Sequence, residues 1–129
     1  MANPNIVNVA TILGGNAGWN LSNTLTTTLL TVSAEYVLKI NRIVVANVDG
    51  GSAADVDLFV DGMGSGTTGV TTTGANATVY LAKTISVPAD SSLVLSDTPI
   101  YLMEGDILKG GGSTVNKLDL FISYETLID

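Results

Sequence analysis

The sequence predicts an all-β protein, an antiparallel β-sandwich or jelly-roll-like barrel of about eight short strands with an extended N-terminal arm. Three observations carry this. Apolar residues alternate with polar ones in short runs, as in Leu118, Leu120, Ile122 and Tyr124 against Lys117, Asp119, Phe121, Ser123 and Glu125. The runs are separated by Gly, Pro, Asp and Ser clusters that read as turns. No segment shows a 3.6-residue apolar period with helix caps.

Residues 1–13 form the arm or first strand, with Ile6, Val7, Val9, Ala10, Ile12 and Leu13 apolar, and residues 14–129 form one domain. Gly14-Gly15-Asn16-Ala17-Gly18 is expected to stop the arm. Trp19, the only tryptophan, follows as a plug for the core or a barrel end, with an interface anchor as the alternative reading. Thr24 to Val32 is rich in Thr and Leu and favours a strand. Glu35 to Val48 is the longest candidate. Tyr36, Leu38 and Ile40 share a face with Val44, Ala46 and Val48, while Ile43 and Val45 lie opposite. Either both faces are covered or a bulge near Asn41 and Arg42 re-phases the strand.

Asp49-Gly50-Gly51-Ser52 is a turn, and Val56, Leu58 and Val60 then point inward with Asp55, Asp57, Phe59 and Asp61 outward. Phe59 among three carboxylates suggests a contact surface. Gly62 to Asn76 holds five Gly and five Thr with no charge and reads as a long loop. Val79, Leu81, Ile85 and Val87 are expected on one strand face. Pro88 to Ser91 turns the chain, Leu93 and Leu95 form a strand, and Asp97-Thr98-Pro99 breaks it. Ile100 and Leu102 lead into the turn Glu104-Gly105-Asp106, where both carboxylates are expected to be solvated. Gly110-Gly111-Gly112-Ser113 reads as a loop before the final strand.

Composition narrows the function classes. With no Cys and no His, disulfides, thiolate or imidazole catalysis and the usual zinc sites are excluded. Five basic residues against twelve acidic give a net charge of −7, which argues against nucleic-acid binding. The apolar run Ile43-Val44-Val45-Ala46 falls far short of the roughly 20 residues of a membrane span, and the start lacks the basic region and apolar core of a signal peptide. Charged residues make up only 13% of the chain, against about 25% in ordinary domains. Such a chain either buries part of its surface against other subunits or covers it with Ser, Thr, Asn and Gly.

No catalytic, cofactor or metal site is expected. Glu104 and Asp106 lack the pocket that would tune an acid. Asp55, Asp57 and Asp61 alternate along a strand, about 6–7 Å apart at each step, too widely spaced for one cation without loop oxygens. Gly62-Met63-Gly64-Ser65-Gly66 is not followed by the Lys-Ser or Lys-Thr of a phosphate loop.

Several stretches together carry a resemblance. They are Ala2 to Val9, Ile43 to Val48, Ser86-Val87-Pro88-Ala89-Asp90, Leu93-Val94-Leu95, Ile100-Tyr101-Leu102-Met103-Glu104-Gly105-Asp106 and Ser123-Tyr124-Glu125. The chain resembles a family of small virion structural proteins of tailed bacteriophages, of the capsid decoration or cement type. The resemblance implies a non-enzymatic protein, assembled in the host cytoplasm, that sits as a homotrimer on the outer head surface. The major capsid protein is its implied partner. Under this reading Ile6, Val7, Val9 and Ile12 of the arm, with Trp19 and Phe59, are the candidate interface residues. Other expectations are a neck, tail or head-fibre component, or a carbohydrate-binding host-attachment module with exposed aromatics grouped on one face.

Overall fold

Leu118, Leu120 and Ile122 are fully buried in the last strand, as their alternation requires. The computed structural model describes residues 11–63, 73 and 76–128, and the arm residues Ile6, Val7 and Val9 and most of Gly62 to Asn76 lie outside that set. The described residues contain nine strands and no helix. They are β1 (Thr11–Asn20), β2 (Thr28–Thr31), β3 (Tyr36–Asn47), β4 (Ala54–Asp61), β5 (Val79–Val87), β6 (Ser92–Ser96), β7 (Ile100–Leu102), β8 (Ile107–Gly112) and β9 (Leu118–Ile128).

Two antiparallel sheets result. One has the order β1-β9-β3-β6, with β7 also pairing β3, and the other β2-β8-β4-β5. β6 pairs Ile43 to Ala46 and β7 pairs Leu38 to Ile40, so they occupy successive stretches of one edge. Asp97-Thr98-Pro99 separates them, as the sequence predicts. With β6 and β7 taken as one position, the pairings β1–β9, β2–β8, β3–β6/β7 and β4–β5 nest inside one another. The chain is one long hairpin wrapped into a sandwich, which is the strand order of a jelly roll.

β3 carries a bulge, one of the two arrangements its sequence allowed. Its register against β9 shifts between Ile40 and Arg42. Leu38 and Ile40 face the core before the shift and Ile43 and Val45 after it, while Arg42 is turned out to solvent. These residues meet Val56, Leu58, Val60 and Leu108 of the second sheet in one continuous core. Each such aliphatic side chain contributes about 1.5–3 kcal/mol by leaving water.

Several expectations are corrected. β1 does not stop at Gly14 but runs unbroken to Asn20, paired with β9 at every position. Gly15 lies beneath the Tyr124 ring, where a Cβ would come within 2.9 Å of it, so a residue read as a breaker is a strand position against a ring. The second strand is confined to Thr28–Thr31. Ser22 to Thr27 forms a turn in which the Ser22 and Thr27 hydroxyls meet at 3.0 Å and Thr27 Oγ1 donates to Thr24 O at 2.7 Å.

Gly110-Gly111-Gly112 is buried strand, not loop. A Cβ on Gly110 would fall 2.2 Å from Asp57 O, and one on Gly111 would strike the Ser22 and Thr24 carbonyls of the overlying turn. Tight backbone approach excludes side chains there. In β5 the register shifts twice against β4, and Thr84 takes φ +52. The re-phased strand turns Ala82 and Val87 inward and leaves Val79, Leu81 and Ile85 exposed, contrary to the single apolar face expected.

Candidate interaction surfaces

The two carboxylates of the 104–106 turn are buried, which corrects the expectation that they are solvated. Glu104 Oε2 accepts the Glu35 backbone N–H at 2.8 Å, and Glu35 stands at φ +70 where the chain enters β3. Asp106 Oδ2 accepts Met103 N–H at 2.9 Å, and burial raises its pKa above the ordinary carboxylate value. Both fix turns. Asn47 does similar work at the opposite end of β3. Its Nδ2 donates to Val87 O at 2.9 Å and Ser52 O at 3.0 Å, and its Oδ1 accepts Asp49 N–H at 2.9 Å.

The acidic face of β4 is divided among separate partners. Asp57, nearly buried, accepts Thr84 N–H at 2.8 Å. Asp61 accepts from the Thr78 hydroxyl at 2.6 Å, from Lys109 Nζ at 2.9 Å and from Gly62 N–H at 2.9 Å. The Thr78 hydroxyl foremost, then Lys109, holds its pKa down to about 2. Asp49 bonds Lys117 at 3.1 Å, which lowers its pKa as well. Among the described residues no three His, Cys, Asp or Glu side chains gather as metal ligands would.

Phe59 is 5% exposed, so it is not the exposed interface anchor its outward position suggested. On the outer face of its sheet it packs against Tyr80, ring centroids 4.9 Å apart, and Lys83 Nζ caps the Tyr80 ring at 4.6 Å. Trp19 is half-buried and packs against the core. It also lines a cleft of about 380 Å³ between the two sheets, on the side where β1 and β2 are the edges. Tyr36, Tyr124, Leu29 and Leu30 line it with Trp19, so the cleft is apolar with three aromatic rings. Ile12 is exposed on β1.

One exposed apolar surface is not assembled by the residue pattern alone. Gly18 pairs Phe121, Phe121 pairs Val44, and Val44 pairs Val94, so the four form a row across β1, β9, β3 and β6. Their neighbours Leu120 and Val45 point into the core, so the row lies on the outer face. Phe121 is 46% exposed there and Val94 42%. The signal in the sequence was Phe121 itself, an aromatic among Lys117, Asp119, Ser123 and Glu125. Polar groups rim the row: Asp119 accepts from Asn20 at 2.8 Å and Lys39 approaches Glu125 at 4.0 Å. An apolar row with a polar rim is suited to docking against another surface. No protein-family model, curated protein or solved structure matches this chain.

Proposed function

We propose that the chain is a non-enzymatic virion structural protein of tailed bacteriophages, a capsid decoration protein that binds the outer head surface as a trimer and strengthens the seams between capsomers. The observation that carries this reading is the row Gly18–Phe121–Val44–Val94 on the outer face of the β1-β9-β3-β6 sheet. A rigid two-layer sandwich presenting a broad apolar row can lie against a shell without rearranging. The absence of Cys and His, the sparse charge and the acidic balance agree with a scaffold kept on the outside, away from packaged DNA. The major capsid protein is the partner in this reading.

Copy number in purified particles tests it. Hundreds of copies per particle are expected of a decoration protein, whereas a dozen or fewer would move the chain to the neck or tail. Phe121→Asp should abolish co-sedimentation with heads while leaving the far-UV circular dichroism unchanged, and full retention on heads would sink the docking face.

A second reading has its own support. The three rings of Trp19, Tyr36 and Tyr124 around one cleft are the kind of aromatic grouping that a carbohydrate-binding host-attachment module requires. A glycan array separates the two: hits lost in Tyr36→Ala favour this reading, and an empty array removes it.

A further inference from the structure

Among the described residues the sandwich has four free edges, and three are guarded. A free edge exposes unpaired N–H and C=O groups, and proteins block such edges with bulges, breaks, short strands or charge. β2 is four residues long and shifts register at Thr28/Leu30. β5 has two register shifts, Lys83, and Thr84 in the left-handed region. The β6/β7 edge is split by Asp97-Thr98-Pro99. β1 has none of these devices. Its ten residues, Thr11-Ile-Leu-Gly-Gly-Asn-Ala-Gly-Trp-Asn20, include no charge and no Pro, and pair with β9 without a shift. Among the described residues nothing pairs its other side.

A second observation points the same way. Gly14 and Gly18 face outward on β1, and neither has a left-handed φ. A Cβ on Gly14 would meet nothing within 4 Å, and one on Gly18 only Leu120 O at 3.6 Å. Contacts within the chain therefore do not require glycine at either place, although glycine weakens a strand. In a strand, such glycines mark places where another backbone comes close.

We infer that β1 pairs antiparallel with β1 of a second copy of this chain about a two-fold axis through Asn16, joining two sheets into one. The occupant must offer a free edge. Of the edges among the described residues only β1 is unguarded, and an uncharged strand meets its own copy without like-charge repulsion. The register centred on Asn16 keeps each face continuous. Gly14 lies opposite the second copy's Gly18, and Leu13 lies opposite its Trp19. That covers Leu13, now 51% exposed, and closes the mouth of the aromatic cleft beside it.

The natural chain has no cysteine, so single cysteines report the pairing directly. Directly opposed strand residues lie about 4.5–5.5 Å apart at Cα, within disulfide reach. Under mild oxidation Asn16→Cys should form a cross-linked dimer in high yield. Asn20→Cys should not, since its two copies would be about 27 Å apart along the strands at roughly 3.4 Å per residue. Gly14→Lys, placed in open space, should fold normally by circular dichroism and halve the native mass. The fall is from six copies to three where the proposed trimer holds, and from two to one where it does not. Absence of the Asn16→Cys cross-link, equal cross-linking of Asn20→Cys, or an unchanged mass for Gly14→Lys would each overturn the inference.

Discussion

Asp57 Oδ1 accepts the backbone N–H of Thr84 at 2.8 Å, and Thr84 stands at φ +52 in the middle of an edge strand. A β-branched residue in the left-handed region is strained by about 1–2 kcal/mol, and the nearly buried carboxylate offsets that by holding the bulge closed. Asp57→Ala should cost about 2 kcal/mol, because the Thr84 N–H loses its partner. Asp57→Asn, which keeps an acceptor, should recover much of the loss. Thr84→Gly should stabilise by about 0.5–1 kcal/mol through relief of the strain. Urea midpoints of the three variants check this; a neutral Asp57→Ala would contradict it.

Acid should weaken the protein through Asp61. Its pKa in the folded chain is about 2, below the ordinary 3.8. The stability it contributes is therefore complete above pH 3.8 and lost as pH falls through 2. Asp61→Asn should flatten the acid limb of a stability-against-pH curve in that window and leave the slope near neutrality alone. Exposure and salt screening keep the effect small.

Asp106 acts in the opposite sense. Burial raises its folded pKa, so its contribution is greatest below 3.8 and is lost as pH rises through the raised value. Asp106→Asn retains an oxygen for Met103 N–H and removes the charge. Its unfolding midpoint should exceed that of the natural protein at pH 7, and the advantage should shrink toward pH 3. Equal midpoints at both pH values would contradict this.

Two glycine substitutions should diverge. Gly110→Ala sets a methyl 2.2 Å from Asp57 O in a central strand and should cost about 3 kcal/mol or more. Gly14→Ala meets nothing within its own chain and, in the separated single chain, should be neutral or stabilise by up to about 1 kcal/mol. Thermal melts of the pair, recorded through Trp19 fluorescence, decide it.

Asn47→Ala should lose about 2–3 kcal/mol, since two carbonyls and one N–H are left without the amide that joins them. Asn47→Asp should be nearly as harmful, because a carboxylate cannot donate to Val87 O or Ser52 O.

The alternation of Leu118, Leu120 and Ile122, the turn at Asp49 to Ser52 and the re-phasing at Arg42 were legible because each is a local property of the chain. What escaped was set by distant partners. Gly110 to Gly112 carries the composition of a loop, but β4 on one side and the Ser22 to Thr27 turn above leave no room for side chains. Glu104 and Asp106 sit in a turn, where solvent is the usual company, yet both side chains are buried, and Glu104 holds the entry to β3. Phe59 points outward as its phase requires, and Tyr80, some twenty residues later, covers it. The Phe121 row needs four strands to exist, so a single strand shows only one odd aromatic.

The nested pairing has a consequence for how the protein is made. β9 lies between β1 and β3, so the first sheet cannot close until Leu118 to Ile128 has emerged behind β3. During synthesis β1 and β3 both wait with open flanks, exposing unpaired backbone N–H and C=O groups to other nascent chains. The whole hairpin must then condense at once, a slow, late step typical of sheets built from distant partners. Insertion of β9 is the event that commits the chain, and a stalled or truncated product lacking it would be prone to aggregate.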